Sequence, residues 1–185
     1  MVLLRVLVCV IYLLGGAHGY ACPNTDEWRF THWMDESAPT ADSIGAVNAL
    51  AQDKQGIIWV GGENGLARFT ADQFKVFRHS VNDAKSISNS YVSSIVNGAA
   101  DQLWIGTNGG LNSYDMRTDT FIRYDSRNGR LLNDNILSLA YGDGHVWIGT
   151  LEGFWFLKVG SDRAQEVTAL RGLTVYTLHL TEGGA

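Results

Sequence analysis

Cysteine is almost missing from this sequence: Cys9 and Cys22 are the whole supply. Cys9 sits in an apolar leader, so a processed chain keeps Cys22 alone and no internal disulfide is possible. An extracytoplasmic domain without disulfides is held by its core alone. Basic runs are missing too. The net charge is −5, and nothing resembles a nucleic-acid-binding surface. The sequence has no Gly-x-Ser-x-Gly elbow and no Walker loop. The histidines beyond the leader, His32, His79, His145 and His179, form no short-spaced pair. A metal site is therefore not expected, and neither is a cofactor. Cys22 has no histidine arranged around it and reads as an unpaired thiol. The one long apolar run, Val6 to Leu14, is too short for a transmembrane helix, which needs about 20 residues.

That run has a role of its own. Arg5 precedes it, and Gly15 to Ala21 are mostly small. This is the n-region, h-region and cleavage zone of a secretory signal peptide over residues 1–21, cleaved after Gly19 or Ala21. A hydrophobic content of 45% rules out a disordered polymer.

What the sequence has in plenty is repetition. Ile58-Trp59-Val60-Gly61-Gly62-Glu63-Asn64-Gly65-Leu66 returns as Leu103 to Leu111 and again as Val146 to Phe154, with the tryptophans 45 and 43 residues apart. Each copy is preceded by a short apolar alternation: Val47 to Leu50, Val92 to Ile95, Ile136 to Leu139. The first two copies are followed by an aromatic pair, Phe74/Phe77 and Phe121/Tyr124. Short runs rich in Val, Ile, Phe, Tyr and Trp, broken by Gly, Asn and Asp, are strands. Four strands per unit of about 40 to 50 residues, repeated head to tail, give an all-β propeller of four-stranded blades.

The repeated residues explain themselves physically. Trp59, Trp104 and Trp147 are expected to fill the gaps between neighbouring sheets. Gly61, Gly106 and Gly149 allow another backbone to come close. Gly65, Gly110 and Gly153 fall where the second strand turns into the third, at positions suited to positive φ. Asp53, Asp101 and Asp143 precede the Trp strand and are expected to cap its turn. Trp28 and Trp155 fall outside the register, with burial and exposure equally open.

The blades read as about 47–79, 92–126 and 136–170, the third with an outer strand of uncertain register near Gln165 to Ala169. A fourth begins at Val175. Phe30 to Trp33 matches the aromatic outer strand, so residues 22–43 carry a strand that closes an incomplete blade. Three blades and a borrowed strand form an open ring, read as the N-terminal portion of a longer protein or a truncated product. Uncapped terminal repeats expose apolar faces, so self-association is expected.

Asp53-Lys54-Gln55-Gly56-Ile57-Ile58-Trp59-Val60-Gly61-Gly62-Glu63-Asn64-Gly65-Leu66, with the two later copies and the linker Ser86 to Val92, resembles the two-component regulator propeller repeat. Gly62 for Thr and Phe154 for Leu are departures. The resemblance implies a periplasmic sensor domain of histidine kinases, hybrid two-component regulators or diguanylate cyclases. Several members of the family sense oligosaccharides. It further implies a small-molecule or glycan ligand and a membrane-bound output domain downstream of Ala185, with no catalysis in this chain. A lyase or glycosidase on the same fold, or a protein-binding scaffold, are the alternatives. No ligand-binding residue is singled out.

Overall fold

The computed structural model describes residues 44–70 and 74–180. The expected signal peptide, Cys22, Trp28 and the expected closing strand at Phe30 to Trp33 lie outside the described residues. Among the described residues twelve strands follow in chain order. The first sheet holds β1 (Val47–Gln52), β2 (Ile58–Gly62), β3 (Gly65–Phe69) and β4 (Phe74–Phe77). The second holds β5 (Val92–Asn97), β6 (Gln102–Thr107), β7 (Gly110–Asp115) and β8 (Thr120–Tyr124). The third holds β9 (Ile136–Gly142), β10 (His145–Thr150), β11 (Gly153–Lys158) and β12 (Gln165–Glu166). Each is an antiparallel meander in sequence order, and the innermost strand β5 lies against both β1 and β9. These are propeller blades, with their first strands gathered toward the axis.

The hydrophobic core lies between the sheets. Trp59 and Leu66 of the first blade pack with Ile95, Leu103, Ile105, Tyr114 and Phe121 of the second. Trp104, Leu111 and Tyr124 of the second pack with Leu139, Val146, Ile148, Trp155 and Leu157 of the third. Trp59 meets the edge of Tyr114 at 5.2 Å between ring centroids. Trp155, outside the repeat register, is buried in the second of these clusters. Trp147 departs from its expected place in a core: it is only half-buried, because its face has no following blade among the described residues.

The first glycine of each motif sits under the next blade's leading β-branched residue. A Cβ on Gly61 would collide with Cγ1 of Val92, and one on Gly106 would lie 2.5 Å from Cγ2 of Ile136. A Cβ on Gly149 would likewise lie 2.8 Å from Cγ1 of Val175, and would also collide with Ser138 Oγ. Val175 also donates its N–H to Thr150 O at 3.0 Å. Residues 175–180 thus start along the path of a further innermost strand, although no ladder partner pairs with them among the described residues. Gly65, Gly110 and Gly153 close the β2–β3-type hairpins at φ of +148°, +113° and +127°.

Of the three turn aspartates, Asp53 alone shows the expected cap among the described residues. Asp53 is 5% exposed. Its Oδ1 accepts the N–H of Gln55 and of Ile57, each at 2.9 Å, and its Oδ2 accepts Trp59 Nε1 at 2.9 Å. The residue six before the tryptophan is Gly98 in the second blade and Tyr141 in the third. Trp104 Nε1 is accordingly buried without a partner among the described residues. Asp101 instead accepts Gln55 Nε2 at 3.3 Å, and Asp143 sits in a turn at φ +51°. Asp53→Ala strands three donors and is expected to cost about 2–3 kcal/mol. Asp101→Ala, which removes an exposed contact, is expected to cost under about 0.5 kcal/mol. Urea denaturation of the two variants checks the contrast, and equal losses would refute it.

Candidate functional site

The innermost strands share an irregularity with a functional consequence. In the ladder between β1 and β2 the register slips between Val47 and Ala49, and between β5 and β6 it slips between Val92 and Ser94. In β9, Thr150 pairs with Ile136 and Gly149 with Ser138, leaving Leu137 out. The three bulge residues are therefore Asn48, Ser93 and Leu137, the same position in successive blades. A bulge re-aims one side chain out of the ladder. Here all three line one pocket of about 490 Å³ beside the axis.

Around the bulges stand residues from the adjoining turns. Tyr91 and Asn135 immediately precede β5 and β9, and Asn108 and Leu151 occupy the β6–β7 and β10–β11 hairpins; Tyr176 completes the lining. If Val175 corresponds to Val92 and Ile136, Tyr176 is the fourth bulge-equivalent residue. Each hairpin is tied to the strand entry by one repeated bond: Glu63 N–H to Ala46 O at 3.1 Å, Asn108 N–H to Tyr91 O at 3.3 Å, and Leu151 N–H to Asn135 O at 3.1 Å. Asn48 Nδ2 reaches across the junction to Val92 O at 3.1 Å. These bonds fix the rim to the rigid blades.

The chemistry of the pocket is narrow. Its lining offers three amides, one aliphatic hydroxyl, two phenols and two leucines, with no carboxylate, ammonium, guanidinium or imidazole. The Ser93 hydroxyl is buried and has no hydrogen-bond partner among the described residues. Such a surface can bind a neutral polar molecule by hydrogen bonds and ring contact. Its lining, among the described residues, holds no carboxylate or imidazole of the kind hydrolases commonly pair. Among the described residues no group of three His, Cys, Asp or Glu converges on a metal-binding position. Two further grooves, of about 640 and 370 Å³, lie on the outer side near Arg123 and Arg130 and near Lys75 and Asp119.

The predicted repeat residues, Trp59, Gly61, Gly65, Trp104, Gly106, Gly110, Trp147, Gly149 and Gly153, do not line this pocket. They build the junctions and hairpins that place it. Sequence reading passed over the pocket residues because they do not repeat: the bulge position reads Asn48, Ser93, Leu137 and then Tyr176. That variation was the available signal. Positions fixed by packing recur in every copy, and positions facing solvent or ligand are free to differ.

The sequence model of the two component regulator propeller matches residues 43–64, the stretch from the entry of β1 through the β2–β3 turn. The first blade's motif thus matches the two-component regulator propeller repeat. Its later copies stand in the same places in the other two blades. Among solved structures, the fold is similar to the extracellular domain assigned to a hybrid two component system from B. thetaiotaomicron. That pair has 22% identity and a TM-score of 0.62, over 71% of this chain and 20% of the other. The extracellular domain assigned to a one component system from the same organism is 28% identical. It has a TM-score of 0.51, over 60% of this chain and 16% of the other. A computationally designed protein shares the fold at 14% identity and a TM-score of 0.50, over 74% of this chain and 81% of its own. The chain thus spans 20% or less of the two bacterial domains. No curated protein matches it. No helix among the described residues is long and apolar enough to cross a membrane.

Proposed function

We propose that this chain is the ligand-reading part of a periplasmic sensor. It takes up a neutral polar small molecule or glycan in the axial pocket and signals through a membrane-bound output domain. The carrying observation is the uncharged pocket itself, assembled from equivalent but non-repeating residues of successive blades. The regulator propeller repeat and the extracellular two-component neighbours support the sensor class. In this reading the chain binds the ligand without transforming it, in keeping with a described lining of amides, phenols, a hydroxyl and leucines.

Thermal shift and calorimetry against a panel of neutral oligosaccharides and polyols test the reading. A stabilising ligand is expected to be recovered chemically unchanged. Asn108→Ala, removing one hydrogen-bonding amide from an exposed rim, is expected to weaken it about tenfold, the equivalent of roughly 1.4 kcal/mol. Turnover of the ligand would replace the sensor with a propeller enzyme. Binding unaffected by any of Asn48→Ala, Ser93→Ala or Asn108→Ala would place the ligand elsewhere.

A further inference from the structure

Three arginines line the open groove of about 640 Å³ on the outer edge of the second blade. Arg123 comes from β8, and Arg127 and Arg130 from the turn after it. Each guanidinium has five N–H donors, and each is held in place with some of them unused. Arg123 Nε donates to Ser86 O at 2.8 Å, and its Nη2 to Asp83 O at 2.8 Å and Ser86 Oγ at 2.7 Å. Its Nη1 has no partner among the described residues. Arg127 gives one N–H to Asp125 Oδ2 at 3.1 Å. Arg130 lies over the Tyr124 ring, 5.4 Å from its centroid, and its side chain makes no hydrogen bond among the described residues. The turn itself is fixed. Asn128 Oδ1 accepts the N–H of Asp125 at 3.1 Å and of Arg130 at 3.0 Å, and Asn128 Nδ2 donates to Arg123 O at 2.9 Å. Arg130 O accepts Ala164 N–H of the third blade at 2.7 Å.

We propose that this groove is an anion site, and that it takes a small organic polyanion with two or more carboxylate or phosphate groups on a short carbon frame. The charge supports it. In a chain of net charge −5 the lining carries three guanidiniums and one carboxylate. That carboxylate, Asp125, is 3% exposed and is turned inward to Asn128 N–H at 2.9 Å and to Arg127. Blade packing does not call for Arg123, since Val76 holds the equivalent place in the first blade: Phe77 pairs with Leu66 as Tyr124 pairs with Leu111. The guanidinium fork matches carboxylate and phosphate oxygens two at a time. Exposed Ile122 and Ala84 give the carbon frame an apolar strip. Side chains already held lose little further rotamer freedom on binding. The groove shares no lining residue with the axial pocket, so this ligand and the neutral one occupy separate sites.

Equilibrium dialysis of the full chain against radiolabelled citrate and, separately, fructose bisphosphate tests the site at constant ionic strength. Binding of citrate alone assigns a polycarboxylate, and binding of the bisphosphate an organic phosphate. Acetate, with one charge, is expected to bind at least about tenfold more weakly than the better probe. Arg127→Gln and Arg130→Gln are each expected to weaken that probe by about fivefold or more. If Arg127→Gln loses its strand signature by circular dichroism, Arg127→Lys, which keeps the charge and loses the fork, takes its place. Arg171→Gln removes the same charge at an exposed position outside the groove and is expected to leave binding unchanged. So is Asn108→Ala in the axial pocket. Failure of both probes to bind overturns the proposal. Binding indifferent to both groove variants does so too, as does an equal loss in Arg171→Gln, which would report net charge alone. A loss confined to Asn108→Ala would move the anion to the axial pocket and overturn it as well.

Discussion

Gly106→Ala is expected to lower the stability of the chain by about 2–3 kcal/mol, far more than a methyl group usually costs on a strand. The reason is a single contact. The new Cβ would lie 2.5 Å from Cγ2 and 3.1 Å from Cβ of Ile136. Ile136 is fully buried at the junction of the second and third blades. A β-branched side chain has little rotamer freedom with which to retreat, so the strain passes to the junction between two sheets. Ile136→Ala alone removes buried methyl groups and is expected to cost about 2–5 kcal/mol. The double variant is the informative one. If the glycine exists to receive the isoleucine, the two losses overlap, and the pair costs about 1–3 kcal/mol less than their sum. Strict additivity in urea titrations would show that Gly106 is required for some other reason.

That glycine was legible in the sequence because its cause is local to the repeat and therefore recurs. The blades, hairpins and buried Trp59 and Trp104 were legible on the same ground. Gly62, which stands where the other copies have Thr107 and Thr150, has its explanation only in three dimensions. Thr107 and Thr150 each donate their hydroxyl to the glycine carbonyl three residues on, at 2.8 Å. In the first blade the entering chain crosses that spot: a Cβ on Gly62 would collide with Ile44 O and come within 2.9 Å of Ala46 O. The exposure of Trp147 likewise depends on what packs against its face, which no motif encodes. The axial pocket is an extreme case. Its residues come from positions that share a backbone bulge and no chemistry, and a bulge leaves no mark on hydrophobic periodicity strong enough to be read. Asp101 and Asp143 misled in the opposite direction: their nearness to the tryptophan strand suggested a recurrence of the Asp53 cap, which needs a carboxylate six residues before the tryptophan, where the other copies have Gly98 and Tyr141.

Asn112→Leu is expected to cost about 3–4 kcal/mol, although it exchanges one fully buried side chain for another of similar size. Asn112 is 0% exposed and stands where the other blades have Ala67 and Trp155. Its Oδ1 accepts the N–H of Ser88 at 2.8 Å, and its Nδ2 donates to Ser88 Oγ at 2.8 Å. The Ser88 hydroxyl in turn pairs with Thr107 Oγ1 at 2.9 Å, and Thr107 Oγ1 accepts Gly109 N–H at 3.0 Å. Leucine leaves the Ser88 N–H buried without an acceptor and strips its hydroxyl of a donor, at about 1–3 kcal/mol for each orphaned group. A buried network fails as a unit, so the loss exceeds that of one hydrogen bond. The network also anchors the linker that carries Tyr91, Val92 and Ser93, hence both a junction residue and two walls of the pocket. Ligand affinity measured on the surviving folded fraction is therefore expected to fall with stability in Asn112→Leu. In Gly106→Ala, affinity measured the same way reports on the next junction, where Leu137 and Leu151 stand. A stability loss in Asn112→Leu with full retention of binding would separate the linker from the pocket and would leave the bulges alone to position its walls.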